Sequence, residues 1–145
     1  MHHLAAQWIV GLLRDRNIPF LICGGLAAKG YGSEGNLNDL DLFVPGKHFS
    51  SVVQDGQEFV LKAAAHRQEE GWDLTYVQFK YAGIKVEVGS ADGPRIFDAG
   101  SETWVPLNID FSRYKTVNLL GLELPLMLKE DLVRYKSALS RSVDM

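Results

Sequence analysis

The chain has very little cysteine: Cys23 is the only one in 145 residues, so no disulfide can form within the chain. That excludes a disulfide scaffold and fits a reducing compartment. Long apolar runs are also missing. Stretches such as Trp8–Val10 and Leu42–Val44 fall far short of the ~20 residues that cross a bilayer, so no membrane span is expected. Met1-His2-His3-Leu4 offers neither a basic segment before an apolar one nor a small-residue cleavage site. No secretory signal is read there, and a cytoplasmic location is expected. Basic residues are not in excess: 15 Lys and Arg stand against 18 Asp and Glu, a net charge of −3. This argues against a chain whose main task is coating nucleic acid. Internal repeats, low-complexity tracts and Pro/Gly/Ser-rich linkers are absent as well. With 46% hydrophobic residues the chain can fill a core, and residues 1–145 are expected to form one domain.

Periodicity supplies the elements. Leu4, Ala5, Trp8, Ile9, Leu12 and Leu13 recur at the spacing of one helix face across His2 to Arg16. Asn17 and Pro19 then stop that helix. Phe20-Leu21-Ile22-Cys23 is a continuous apolar run, as in a buried strand. Gly24-Gly25 breaks it, a short helix runs from Leu26 to Tyr31, and a polar loop runs from Gly32 to Asn38. Asp39 to Val44 reads as a strand closed by Pro45, and residues 46–55 as a helix. Residues 57–68 suit either state, since Phe59-Val60-Leu61 favours a strand and Ala63-Ala64-Ala65 a helix. Residues 72–88 read as a β-hairpin turning at Tyr81-Ala82-Gly83. Residues 89–112 show only turns, at Asp92-Gly93-Pro94 and Ala99-Gly100-Ser101. Tyr114 to Leu124 reads as a hairpin around Gly121, and Lys129 to Leu139 as a helix. Strands and helices mix without strict βαβ alternation. The expected class is α+β, a small mixed or antiparallel sheet backed by helices.

Several motifs match in letters and fail in context. Gly30-Tyr31-Gly32-Ser33-Glu34-Gly35 spells G-x-G-x-x-G, but a helix precedes it and a strand follows, the reverse of a dinucleotide fingerprint. No G-x-x-x-x-G-K-[ST], H-E-x-x-H or G-x-S-x-G occurs. His48 and His66 are isolated in sequence and read as surface residues rather than zinc ligands. Cys23 reads as a small core residue.

Three other features fit together. Asp39 and Asp41, two apart on a strand, project to one face about 7 Å apart along the chain. Leu40 and Leu42 project to the other. Each carboxylate raises the other's pKa unless a cation lies between them. Read alone, the pair is equally an ordinary solvent-facing edge. Glu87, in Ile84-Lys85-Val86-Glu87-Val88, points away from its valines. It completes a three-carboxylate cluster if its strand lies beside that of Asp39, and otherwise pairs with Lys85. Such oxygen-rich clusters select Mg²⁺ or Mn²⁺ over zinc. Gly24-Gly25 follows a buried strand and opens a helix, which is either a plain turn or a place where a phosphate meets backbone N–H groups.

The order of these parts resembles the minimal nucleotidyltransferases of the DNA polymerase β-like superfamily. Their signature is an apolar residue, Gly-Gly or Gly-Ser, about a dozen residues, then D-x-D or D-x-E on a strand. Here thirteen residues separate Gly25 from Asp39. The later strand carrying Glu87 is similar to the family's third acid. The end of the chain, with Lys136 and a trailing Arg141-x-x-Asp144, resembles the helix that closes many small members. Antibiotic-modifying and toxin–antitoxin nucleotidyltransferases share this layout. The resemblance implies that Asp39, Asp41 and Glu87 bind Mg²⁺ or Mn²⁺, that Gly24 and Gly25 meet the triphosphate, and that Lys136 approaches a phosphate as a point charge. It implies that Glu87 accepts the proton of the attacking hydroxyl. The reaction would move a nucleoside monophosphate from an NTP to a hydroxyl or amine. An antibiotic or other small molecule, a tRNA end and a protein side chain are all open as acceptors. Many relatives carry Arg and Thr or Ser just before the D-x-D, whereas here the segment is Gly35-Asn36-Leu37-Asn38. That departure favours the alternative, a nucleotidyltransferase-like binding module such as a toxin–antitoxin component. A D-x-D glycosyltransferase ranks lower, since its nucleotide domain is larger than this chain.

Overall fold

The alternation of apolar and polar residues around the D-x-D builds the strand at the centre of the sheet. The computed structural model describes residues 1–144, with side chains through Leu139. Four α-helices are present among the described residues: α1 (His2–Asp15), α2 (Gly24–Gly30), α3 (Gly46–Asp55) and α4 (Lys129–Asp144). The strands are β1 (Leu21–Cys23), β2 (Leu40–Val44), β3 (Val60–Glu69), β4 (Trp72–Tyr81), β5 (Ile84–Ser90), β6 (Arg95–Asp98), β7 (Thr103–Pro106), β8 (Tyr114–Leu119) and β9 (Leu122–Met127). They form one mixed sheet in the order β7-β6-β4-β5-β2-β1-β9-β8, with β3 paired to β4 outside that path. The expected α+β class with a small mixed sheet is the one observed. Among the described residues no helix is long and apolar enough to cross a membrane.

Two parallel pairings shape the centre. β2 runs parallel to β5, and β1 parallel to β9. The other strand pairs are antiparallel. On β2 and β5, Leu40, Leu42, Val86 and Val88 are buried in one core with Ile9 and Leu13 of α1. Helices α1 and α3 pack on β5, while α2 packs on α4 and α4 on β6. Trp8 of α1 stacks flat on Tyr81 at 4.9 Å and meets Phe59 and Phe79 edge-on at 5.3 Å. This ring cluster fixes α1 against the β4–β5 hairpin.

Three hairpins use one turn design. Glu70-Gly71, Ala82-Gly83 and Leu120-Gly121 all have positive φ at both residues, the two-residue geometry that suits strand twist. The sequence reading found the turns at Gly83 and Gly121.

Several boundaries move. The helix read to Arg16 ends at Asp15, and its buried stripe takes in Ala6 and Val10 while Leu4 stays exposed. The ambiguous 57–68 segment is a 3₁₀ turn, Gln57–Phe59, followed by β3. Pairing with β4 there overrides the helix preference of the three alanines. The unread stretch 89–112 holds the β6–β7 hairpin. The short second helix starts at Gly24 and includes both glycines. β2 starts at Leu40, so Asp39 sits just ahead of the strand in which the sequence reading placed it. β9 runs to Met127 and α4 to Asp144, both beyond the residues first expected. The Arg141 and Asp144 side chains of the R-x-x-D-like ending lie outside the described residues.

Candidate functional site

The parallel β2–β5 pairing puts Asp41 directly beside Glu87. Their strand neighbours Leu40, Leu42, Val86 and Val88 are buried, so alternation turns both acids to the opposite face. Asp41 lies within hydrogen-bonding reach of Glu87. Burial, the Glu87 charge and contact, and the Asp39 charge push Asp41 up to about 7, with Lys136 opposing them. With no cation present, Asp41 therefore keeps its proton up to about pH 7. Gln78 of β4 donates from Nε2 to Glu87 Oε1 at 2.8 Å and orients it. Glu87 therefore makes its contacts to Asp41 and Gln78, and not the Lys85 pair that was the alternative.

These acids lie in a cleft of ≈ 400 Å³. Asp39 lines it too, and acts on Asp41 through its charge. Lys136, exposed on α4, lines the far side. Gly24 passes under Asp41 so closely that a Cβ would sit 2.4 Å from Asp41 Oδ2, and its φ is +61°. The close approach to Asp41 favours glycine there, and the positive φ adds to that preference. The Gly24 N–H donates to the Tyr135 hydroxyl at 2.8 Å. The amide that the sequence reading offered to a phosphate is thus already engaged. Gly25 packs toward Leu37 and is not among the cleft-lining residues. Cys23 is buried at the cleft floor, and its thiol is pushed well up by burial and by Asp41 and Glu87. A buried thiol held in its protonated form makes a poor nucleophile, in keeping with its reading as a core residue.

Sequence reasoning missed several cleft residues. Tyr135 is one of them, and Gln78, which holds Glu87 from β4 without lining the cleft, is another residue missed. Trp72, Leu74 and Tyr76 form an apolar wall from β4, and Glu69 and Glu70 stand at the β3–β4 turn. The one available signal was on β4, where Trp72, Leu74, Tyr76 and Gln78 share a face by alternation.

Among the described residues, no three His, Cys, Asp or Glu side chains converge tightly enough to hold a metal ion as they stand. The donor set at the cleft is nevertheless all oxygen. Its two central members repel each other in the absence of a cation, which fits a hard divalent ion.

A second charged cluster, with one carboxylate, lies at the β3, β4 and β6 strands. Asp73 is buried, accepts from Arg95 Nε at 2.8 Å, and also contacts His66. Arg95 and His66 hold its carboxyl below the usual range. His66 is on the surface, as expected, but it pairs with Asp73.

No family model matches the chain. Two curated proteins of Oryza sativa subsp. japonica, provisionally named cyclin-F1-2 and cyclin-F1-1, are 33% and 30% identical to it over 109 residues. Those matches cover 74% of this chain but only 29% and 28% of theirs, so the chain spans less than a third of these relatives. Two solved structures share the fold. A protein from Thermotoga maritima, provisionally assigned as a nucleotidyltransferase, superposes with a TM-score of 0.79 at 20% identity, covering 97% of this chain and 85% of that one. The lincosamide antibiotic adenylyltransferase LnuA, crystallised with lincomycin, gives 0.59 at 12% identity over 93% and 84%. The chain therefore has a nucleotidyltransferase-like fold, as the motif order implied.

Proposed function

We propose that the chain transfers a nucleoside monophosphate from an NTP to a hydroxyl or amine acceptor, with release of pyrophosphate. The observation that carries the reading is the Asp41–Glu87 pair, set side by side on parallel strands within a cleft, where burial and the Glu87 charge raise the Asp41 pKa. Perturbed acids in a cleft are the usual mark of a functional site. Asp39, Asp41 and Glu87 are the residues to hold Mg²⁺ or Mn²⁺. Bound there, such an ion supplies positive charge against the phosphoryl oxygens of an in-line displacement. The chain's own residues do the rest. Gln78 fixes the Glu87 carboxylate, which takes the proton of the attacking hydroxyl. Gly24 lets the backbone pass close beneath Asp41. Lys136 adds a point charge at the cleft wall. The Trp72, Leu74 and Tyr76 wall offers apolar surface to a nucleobase or to the acceptor. The lincomycin-bound neighbour makes a small-molecule acceptor one choice. A tRNA end and a protein side chain are the others.

A second reading treats the chain as a binding module, such as a toxin–antitoxin component. It rests on the Gly24 N–H being held by Tyr135, and on Lys136 being the one Lys or Arg among the described cleft-lining residues. The deciding experiment is thermal unfolding with each of the four NTPs, with and without Mg²⁺, on wild type and Asp41→Asn. A ligand present at 100 times its Kd adds about 2.7 kcal/mol to stability. A Mg²⁺-dependent rise lost in Asp41→Asn is the expected result. No rise with any NTP would shift the reading to the binding module.

A further inference from the structure

We infer that Tyr135 binds the phosphates of the nucleotide, donating its hydroxyl proton to a phosphate oxygen while its oxygen accepts from Gly24. The inference rests on the nucleotidyl-transfer reading above and names a residue that the motif does not include. Tyr135 is 4% exposed and its hydroxyl accepts from the Gly24 N–H at 2.8 Å. A phenol oxygen that accepts still has its own proton to give. Among the described residues no hydrogen-bond acceptor takes that proton. The side chain lines the same cleft as Asp41, Glu87 and Lys136.

The surrounding chemistry favours an anionic oxygen as the missing acceptor. Burial keeps the Tyr135 phenol protonated, so it is a donor at any physiological pH. An amide donating into the hydroxyl polarises it and strengthens its outgoing bond. The ring meets Trp72 edge-on at 5.4 Å, which fixes where the hydroxyl points. Charge makes the need plain. Asp39, Asp41, Glu69, Glu70 and Glu87 line the cleft, with Lys136 the one Lys or Arg among its described lining residues. A triphosphate entering this acidic cleft requires neutral donors as well as cations. The Asn- and Gly-rich segment before the D-x-D carries neither Arg nor Thr. Tyr135 passes the Gly24 amide's polarity on to the ligand as an O–H.

The test is calorimetric binding of the four NTPs, of tripolyphosphate and of the matching nucleosides, all with Mg²⁺. Wild type is compared with Tyr135→Phe and with 3-fluorotyrosine at position 135. Losing one hydrogen bond to a charged group weakens NTP and tripolyphosphate binding by roughly tenfold or more in the Phe variant. Nucleoside affinity is expected to stay the same. Fluorination makes the phenol a better donor and a poorer acceptor, so tripolyphosphate binding should tighten. Unchanged NTP affinity in Tyr135→Phe overturns the inference, and so does an equal loss for nucleoside and NTP, which marks a merely structural clamp. If the Phe variant does not fold, the fluorotyrosine protein decides, and weaker or unchanged tripolyphosphate binding overturns the inference. Wild type that binds no NTP and no tripolyphosphate removes this inference and the nucleotidyl-transfer reading together. Wild type that binds while the variants do not change removes only this one.

Discussion

Two carboxylates on interior strands of the sheet meet opposite electrostatic fates. Asp73, at the β4–β6 junction, faces Arg95 and His66, and its pKa is lowered. Asp41, on the central strand β2, faces another carboxylate, and its pKa is raised to about 7. The first cluster is complete as folded, with each charge answered. The second is incomplete without a cation or a proton. A fold tolerates such a site when function uses it. The comparison separates a carboxylate that holds strands together from one that waits for a ligand, using only the sign of the partner.

The strongest way to break the contrast is to remove the waiting site. Asp39→Ala with Asp41→Ala should lower any Mg²⁺-dependent nucleotidyl transfer by more than about 100-fold, as read by pyrophosphate release, while Arg95→Ala at the other cluster leaves transfer near wild type. Equal losses at both clusters would dissolve the distinction. A weaker perturbation acts on the support. Gln78→Leu removes the donor that orients Glu87, and Mg²⁺ affinity measured by calorimetry should fall about 10–100-fold. An unchanged affinity would mean that Gln78 does not position a metal-binding carboxylate.

Much of this site can be read from the sequence because its parts are local. The D-x-D spacing places two acids on one face, and Gly24 with Gly25 stands beside a short apolar run. Glu87 is legible as the lone acid between two valines. Its meeting with Asp41 is not, because a parallel pairing between β2 and β5 leaves no local mark in either strand. Tyr135 reaches Gly24 across 111 residues of chain, and no periodicity within α4 signals that contact. The hairpins were legible where Gly83 and Gly121 close two-residue turns. The strand β3 was not, since three consecutive alanines suit a helix and only pairing with β4 makes them a strand. Asp73 and its partners escaped notice for a similar reason. His66, Asp73 and Arg95 are scattered on three strands that only the sheet brings together.

A proton-linked experiment tests the sign directly. Asp41 binds its proton more tightly folded than unfolded, so the native state carries the extra proton between about pH 4 and pH 7. Metal-free stability should therefore fall as pH rises through that window. Asp41→Asn removes the penalty and can donate to Glu87. Its Tm at pH 8 should exceed wild type by about 5 °C, with the gap closing near pH 4. Mg²⁺ should raise the wild-type Tm at pH 8 and lose that effect at pH 5, where protons compete for the pair. A Tm for Asp41→Asn below wild type at pH 8 would mean that Asp41 is a structural carboxylate after all.

The smallest effect is expected at Asp73, and it has the opposite sign. Its lowered pKa means that the pairing stabilises the fold above the usual carboxylate range and is lost as acid protonates the group. Asp73→Asn should thus lower Tm at pH 7, where Asp41→Asn raises it. Arg95 and His66 are 47% and 66% exposed, so both keep water contact when the carboxylate is gone, and the penalty of leaving them unpaired is limited. The drop should be smaller than the rise at Asp41. It should shrink further in 1 M NaCl, where the Debye length falls to about 3 Å. Mg²⁺ should leave it unchanged, because Asp73 already faces the Arg95 guanidinium. If instead Mg²⁺ rescued Asp73→Asn, the two clusters would be energetically linked through β4, the strand that carries both Asp73 and Gln78.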